Sequence, residues 1–195
     1  MPPPSSGGIA LIQMLNILEN LDIDKFQHNS EEYLMNLISA MDYAFFDRAK
    51  YLGDPDFFNV PQELLISKQY AKDISVKIKN KEELQKIKIT VSESEETTHF
   101  SIVDKWGNAV SNTYTLNTAY GSGIVPTGTG ILMNNEMDDF SSKPGYPNVY
   151  GLIGSEANKI EPKKTPLSSM TPVIVFKEDR PFLVTGSPGG STIIT

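Results

Sequence analysis

Glu95-Glu96-Thr97-Thr98-His99-Phe100-Ser101 is the stretch on which the reading of this chain turns. An acidic, small-residue segment ends there and a segment of strand character begins. We expect the peptide bond between Glu96 and Thr97 to be built to break, leaving Thr97 as a new N-terminus and as a nucleophile. A threonine hydroxyl attacks poorly unless a base removes its proton. An N-terminal threonine carries that base itself, as an α-amine that titrates near roughly pH 8. No histidine is then required, which suits a chain holding only His28 and His99 and no cysteine. Thr-Thr-His alone also reads as two β-branched residues opening a strand, so its surroundings must decide.

Upstream of the stretch the pattern is helical. Ile9, Ile12, Leu15, Ile17 and Leu18 fall roughly on one face, predicting a helix over 8–21. Ser30 is an N-cap candidate, with Glu31 and Glu32 complementing the helix dipole. The helix it opens, 31–51, carries Leu34, Leu37, Ile38, Met41, Ala44 and Phe45 at core spacing, and Gly53-Asp54-Pro55 stops it. Pro61 suits a first turn, so a third helix is expected over 61–75. Residues 77–96, dense in charge and then acidic and small, read as a solvated linker.

Downstream the pattern is β. Phe100, Ile102 and Val103 precede a turn at Lys105-Trp106-Gly107-Asn108, and Ala109 to Asn117 alternates as a second strand. Ile131-Leu132-Met133 reads as a short buried strand. Residues 141–164 form a long loop, a length uncommon unless functional. Val173–Phe176 and Phe182–Thr185 make another hairpin around Glu178-Asp179-Arg180. Helices before the break and strands after it predict an α+β layered fold.

The 195 residues could bury a substantial core, and 39% hydrophobic with 21% charged residues is a soluble globular composition. A net charge of −7 with no basic stripe argues against a nucleic-acid partner. The N-terminal Met1-Pro2-Pro3-Pro4-Ser5 lacks the basic and apolar regions of a signal peptide. Both ends look cut, so we expect a piece of a longer protein.

Polar clusters in the second half carry the chemistry. The two-residue period puts Thr113, Thr115 and Asn117 on one strand face. Asn135-Glu136 and Asp138-Asp139 concentrate carboxylates, and Leu167-Ser168-Ser169-Met170 sets two hydroxyls between apolar residues. Gly189-Gly190 offers backbone amides unobstructed by side chains, as an oxyanion hole requires. Acceptors for an ammonium and donors for a carboxylate together match a zwitterionic amino-acid head. Calcium at Asp138-Asp139 is disfavoured, since no EF-hand-type loop is present. Gly186-Ser187-Pro188-Gly189-Gly190-Ser191 lacks the Gly-Lys-Ser/Thr ending of a phosphate loop.

Thr97-Thr98-His99-Phe100-Ser101, Trp106-Gly107-Asn108-Ala109-Val110-Ser111, Asn134-Asn135-Glu136-Met137-Asp138-Asp139-Phe140, Pro166-Leu167-Ser168-Ser169-Met170 and Gly186-Ser187-Pro188-Gly189-Gly190-Ser191, in this order, resemble the γ-glutamyltransferases, or glutathione hydrolases. Pro2-Pro3-Pro4-Ser5-Ser6-Gly7-Gly8 resembles a loop late in their large subunit. The resemblance covers essentially the whole chain. It implies part of an N-terminal-nucleophile hydrolase αββα sandwich, truncated at both ends, and an enzyme with no cofactor or metal. Residues 1–96 would end a large subunit and 97–195 begin a small catalytic one, after autocatalytic cleavage between Glu96 and Thr97. By position, Thr115 would orient Thr97. Asn117, Glu136 and Asp139 would hold the substrate ammonium, and Ser168 and Ser169 its carboxylate. The Gly189 and Gly190 amides would stabilise the oxyanion, and Tyr150 would sit on a lid loop. Substrates would be glutathione and other γ-glutamyl compounds, with amino-acid or peptide acceptors. The location implied is periplasmic or extracellular. The family's carboxylate-binding arginine lies early in the large subunit, outside this sequence. Two alternatives remain: a cephalosporin acylase or poly-γ-glutamate enzyme of the same superfamily, or a non-catalytic amino-acid-binding piece.

Overall fold

The computed structural model describes residues 1–82, 84, 96–148 and 151–195. Most of the expected linker, and Tyr150 of the expected lid, lie outside the described residues. Helix α1 spans Gly7–Asn20, α2 Glu31–Tyr51, α3 Gln62–Leu65 and α4 Lys68–Lys79. Strands β1 (Thr98–Val103) and β2 (Ala109–Tyr114) form one antiparallel hairpin, and β3 (Val173–Lys177) and β4 (Arg180–Thr185) a second. The fold is α+β, with helices and strands in the expected order.

Local chemistry sets the element ends. The Ser30 hydroxyl accepts the Tyr33 N–H at 3.2 Å and starts α2. The expected third helix is two helices. Ser67 caps α4 by accepting the Tyr70 N–H at 3.1 Å, while Asn16 of α1 donates to the Ile66 carbonyl at 2.9 Å, satisfying the interrupted chain. Pro61 stands just before α3 rather than inside its first turn. In the second hairpin Glu178 and Asp179 take φ of 51° and 59°, the left-handed pair that a two-residue turn requires.

The helices pack around three buried clusters. Ile17, Leu21, Ala40, Ala71 and Ile74 lie between α1, α2 and α4. The other two clusters draw a residue from the strand-bearing half: Leu167 joins Ile9, Leu52, Val60 and Leu65, and Ile194 joins Ala10, Met14 and Ala44. The buried face of α2 matches the expected one only in part: Ala44 is in the core with Met41 and Phe45 packed against it, but the face is rotated toward other residues. Ala40, Ala44, Asp47 and Arg48 are buried, while Leu34 and Ile38 are 40% and 50% exposed. Small alanines let α1 approach, and the two charged residues find partners inside. Asp47 accepts hydrogen bonds from Gln13 Nε2 at 2.6 Å and the Tyr70 hydroxyl at 2.9 Å. Burial raises its carboxyl above the ordinary value against those bonds.

The hairpins touch, with β4 against both β1 and β2 and β3 against β2. The Ser111 hydroxyl donates to the Thr185 carbonyl at 2.8 Å across them. Ile131-Leu132-Met133 is not a buried strand: it is irregular, and Ile131 is 62% exposed. Its order comes from two backbone bonds, Ser122 N–H to Met133 O and Met133 N–H to Ile124 O, both at 2.9 Å. The 141–164 loop contains a 3₁₀ turn at Glu156–Asn158. Among the described residues no helix is long and apolar enough to cross a membrane.

The N-terminal loop does more than deliver α1. Ser5 pairs with Ser168 as an isolated parallel bridge, through Ser168 N–H to Pro4 O at 3.1 Å and Ser6 N–H to Ser168 O at 2.8 Å. The approach is close enough that a Cβ on Gly7 would lie 2.0 Å from Thr171 Oγ1. This docking fixes the floor of the site described next.

Candidate active site

The β1–β2 register pairs Thr98 with Tyr114. One step further, Thr97 and Thr115 face each other at the open end of the hairpin. The buried Thr97 hydroxyl donates to Thr115 Oγ1 at 3.3 Å. Thr115 Oγ1 also accepts the Asn117 N–H at 2.9 Å. Asn117 takes φ 78°, ending the strand pattern, and its Nδ2 donates to the Asn135 carbonyl at 3.3 Å. That bond brings the hairpin end beside the 3₁₀ turn Glu136–Asp139.

Buried Asn158 joins this acidic turn to the serine loop. Its Nδ2 donates to the Asp139 carbonyl at 2.7 Å, and its Oδ1 accepts the Leu167 N–H at 3.0 Å. Ser168 and Ser169 follow directly. Arg48 reaches them from α2. Its Nη2 donates to Ser169 Oγ at 2.8 Å and its Nε to Ser6 Oγ at 3.1 Å.

One cavity is lined by Thr97, Thr115, Asn117, Glu136, Asp139, Ser168, Ser169 and Gly190. Of the site residues expected from sequence, these eight come together. Gly189 lies outside the lining, one residue behind. Its φ is 136° and that of Gly190 is 56°, and its carbonyl accepts both the Thr192 N–H at 3.1 Å and the Thr192 hydroxyl at 2.7 Å, which fixes the turn. Glu96 is exposed beside buried Thr97.

The cavity also holds residues the sequence reading missed. Arg48, Asn158 and Ser191 line it as well. A charged pair, Asp47-Arg48, inside an otherwise core-like helix was the available signal for Arg48. Asn158 sits in a loop and gave none. The buried Ser191 hydroxyl has no hydrogen-bond partner among the described residues.

Electrostatics separate the two ends. Burial, then a hydrogen bond with Glu136 and that residue's charge, push the Asp139 carboxyl up to about 8, with the Arg48 charge opposing. Burial lowers Arg48 to about 10, so it stays a cation at neutral pH. The cavity therefore presents a hydroxyl nucleophile candidate, acidic groups at one end, and hydroxyls with a guanidinium at the other. Among the described residues no group of three or more His, Asp or Glu side chains could hold a metal ion.

The gamma-glutamyltranspeptidase family model matches residues 1–195. The chain is 56% identical over 200 residues to the glutathione hydrolase proenzyme of Escherichia coli (strain K12), covering all of this chain and 34% of that protein. It is 49% identical over 198 residues to the glutathione hydrolase proenzyme of Pseudomonas sp. (strain A14), again covering all of this chain and 34% of that protein. The chain thus spans about a third of the length of these curated relatives. Among solved structures, the cephalosporin acylase from Bacillus halodurans superposes with a TM-score of 0.69 at 26% identity, over 95% of this chain and 31% of that one. The α+β N-terminal-nucleophile fold, held here in part, agrees with that superposition. Matched along its whole length by the family model, the chain belongs to the gamma-glutamyltranspeptidase family.

Proposed function

We propose that the whole protein hydrolyses and transfers γ-glutamyl groups, acting on glutathione and related γ-glutamyl amides with Thr97 as nucleophile. The observation that carries this reading is the Thr97–Thr115 hydroxyl pair opening into the same cavity as the acidic turn and the serine loop. The names of the relatives support the substrate class.

Maturation begins with the Thr97 hydroxyl attacking the Glu96 carbonyl carbon. The acyl group shifts from nitrogen to oxygen, and water hydrolyses the ester, freeing the Thr97 α-amine. Residues 1–96 then end one subunit and 97–195 begin the other. In turnover that amine takes the hydroxyl proton as Oγ1 attacks the γ-glutamyl amide. Thr115 holds the hydroxyl in line. The Gly189 and Gly190 amides stabilise the tetrahedral oxyanion. The leaving amine departs protonated, and water or an acceptor amine takes the acyl group. Asn117, Glu136 and Asp139 meet the substrate ammonium, and Ser168 and Ser169 its carboxylate. No cofactor enters. On the resemblance alone we place the protein in the periplasm or outside the cell, which fractionation of expressing cells would test.

Full-length precursor incubated at neutral pH should split before Thr97, read as two subunit masses, and then consume glutathione. Thr97→Ala should remain one polypeptide and lose activity by roughly 10⁴-fold or more. Glutathione consumption by an uncut wild type would overturn the reading. The likeness to a cephalosporin acylase favours a second reading, the same nucleophile on a different acyl group. Faster turnover of glutaryl-cephalosporin than of glutathione would select it.

A further inference from the structure

We propose that Arg48 is a positioning residue of this pocket: from upstream of Glu96 it holds the Ser169 hydroxyl as an acceptor, so that its proton is presented to the substrate carboxylate, and it supplies the buried positive charge at that end. The proposal rests on the γ-glutamyl reading above and assigns a role to a residue of α2.

The argument starts from donor counts. A guanidinium has only donors, so the 2.8 Å bond between Arg48 Nη2 and Ser169 Oγ uses an acceptor site of Ser169. The single Ser169 proton is left for another acceptor, and Ser169 lines the cavity. Arg48 itself cannot swing away. Its Nε is bound to Ser6 Oγ at 3.1 Å, and the Ser6 proton is committed to the Ser168 carbonyl at 2.7 Å. Ser6 is in turn held by its backbone bond to Ser168. The guanidinium is thus clamped between two serines, one from each side of residue 96.

Charge points the same way. Arg48 is 6% exposed and forms no ion pair among the described residues. A buried charge without a counter-ion is unfavourable unless something offsets it. Asp139 feels the Arg48 charge but is held toward its neutral form by burial and Glu136. A carboxylate entering the cavity would supply the missing negative charge, next to a hydroxyl already turned to receive it.

The test uses the full-length protein, with a chromogenic γ-glutamyl anilide as probe. Arg48→Gln and Arg48→Lys should both still split before Thr97. Arg48→Gln should raise KM roughly 10- to 100-fold, the range for losing a charged hydrogen bond, with little change in kcat. Arg48→Lys, which keeps the charge but not the fork, should fall between Arg48→Gln and wild type. Arg48→Gln combined with Ser169→Ala should be scarcely worse than the poorer single variant, because both remove one interaction. The acid limb of kcat/KM should also move to higher pH in Arg48→Gln, since Asp139 loses the charge that favours its ionised form. Additive effects of the two substitutions with an unmoved pH profile would reduce Arg48 to a brace and overturn the proposal. Should Arg48→Gln fail to fold, Arg48→Lys carries the test, and a wild-type KM in that variant overturns it. A wild type that splits but ignores the anilide would instead count against the γ-glutamyl reading.

Discussion

The helical half and the hairpin half solve burial differently. In residues 1–82, Ile17, Leu65 and Ala71 are fully buried, and one cluster closes entirely among α1, α2, α4 and the residue that follows α1. In the hairpins, Ile102, Phe176 and Phe182 remain 56–69% exposed. A two-stranded hairpin has too little surface to bury its own faces, whereas helices at close spacing enclose each other's stripes. The difference teaches where rigidity comes from. The site's hydroxyls sit on the hairpin half, but the residues that fix the serine loop, Ser5, Ser6 and Arg48, come from the helical half.

The sharpest way to break the comparison is a matched pair of truncations in this chain. Leu65→Ala should lower stability by about 2–5 kcal/mol, as for a fully buried leucine. Phe182→Ala should change it by less than about 0.5 kcal/mol. Denaturant unfolding of both checks this, and equal costs would erase the distinction. A second measurement tests the polar seam. Because the Asp139 carboxyl is raised in the folded protein, its contribution is fully present below the ordinary carboxylate value of about 4. It is lost as pH climbs toward about 8. Stability should therefore fall over that window in wild type and fall less steeply in Asp139→Asn, where the raised Asp47 carboxyl still contributes, followed by melting temperature against pH. The smallest expected change is at Ser191. Removing a buried hydroxyl that has no partner among the described residues, as Ser191→Ala does, should leave stability within about 1 kcal/mol, on the neutral or stabilising side. A clear loss of stability would show a bond that the free protein hides.

What could be read in advance was what is local. Ser30 as a cap, Gly53-Asp54-Pro55 as a stop, and the turns at Lys105–Asn108 and Glu178–Arg180 are decided by neighbours in sequence, and each stands where expected. The face of α2 was not local. Leu34 and Ile38 have core spacing, yet Asp47 and Arg48 are buried because their partners lie 34 and 121 residues away. The split at Ser67 depended on Asn16 from another helix. Six of the eight expected residues that line the cavity, Thr97, Glu136, Asp139, Ser168, Ser169 and Gly190, lie in the ordered motifs, while Thr115 and Asn117 came from the alternation of the second strand, which sets the Thr115 hydroxyl against that of Thr97. Asn158, in a loop, gains its meaning only from the Asp139 and Leu167 backbone it bridges.

The docking of Ser5 and Ser6 onto Ser168 and Met170 has a further consequence. With the Asp54 carboxylate accepting the Thr165 N–H at 2.8 Å, and Leu167 and Ile194 sunk into the helical clusters, cohesion does not depend on covalent continuity at residue 96. Scission there would yield a heterodimer already assembled, whose two polypeptides never meet as strangers and need no encounter in solution to pair.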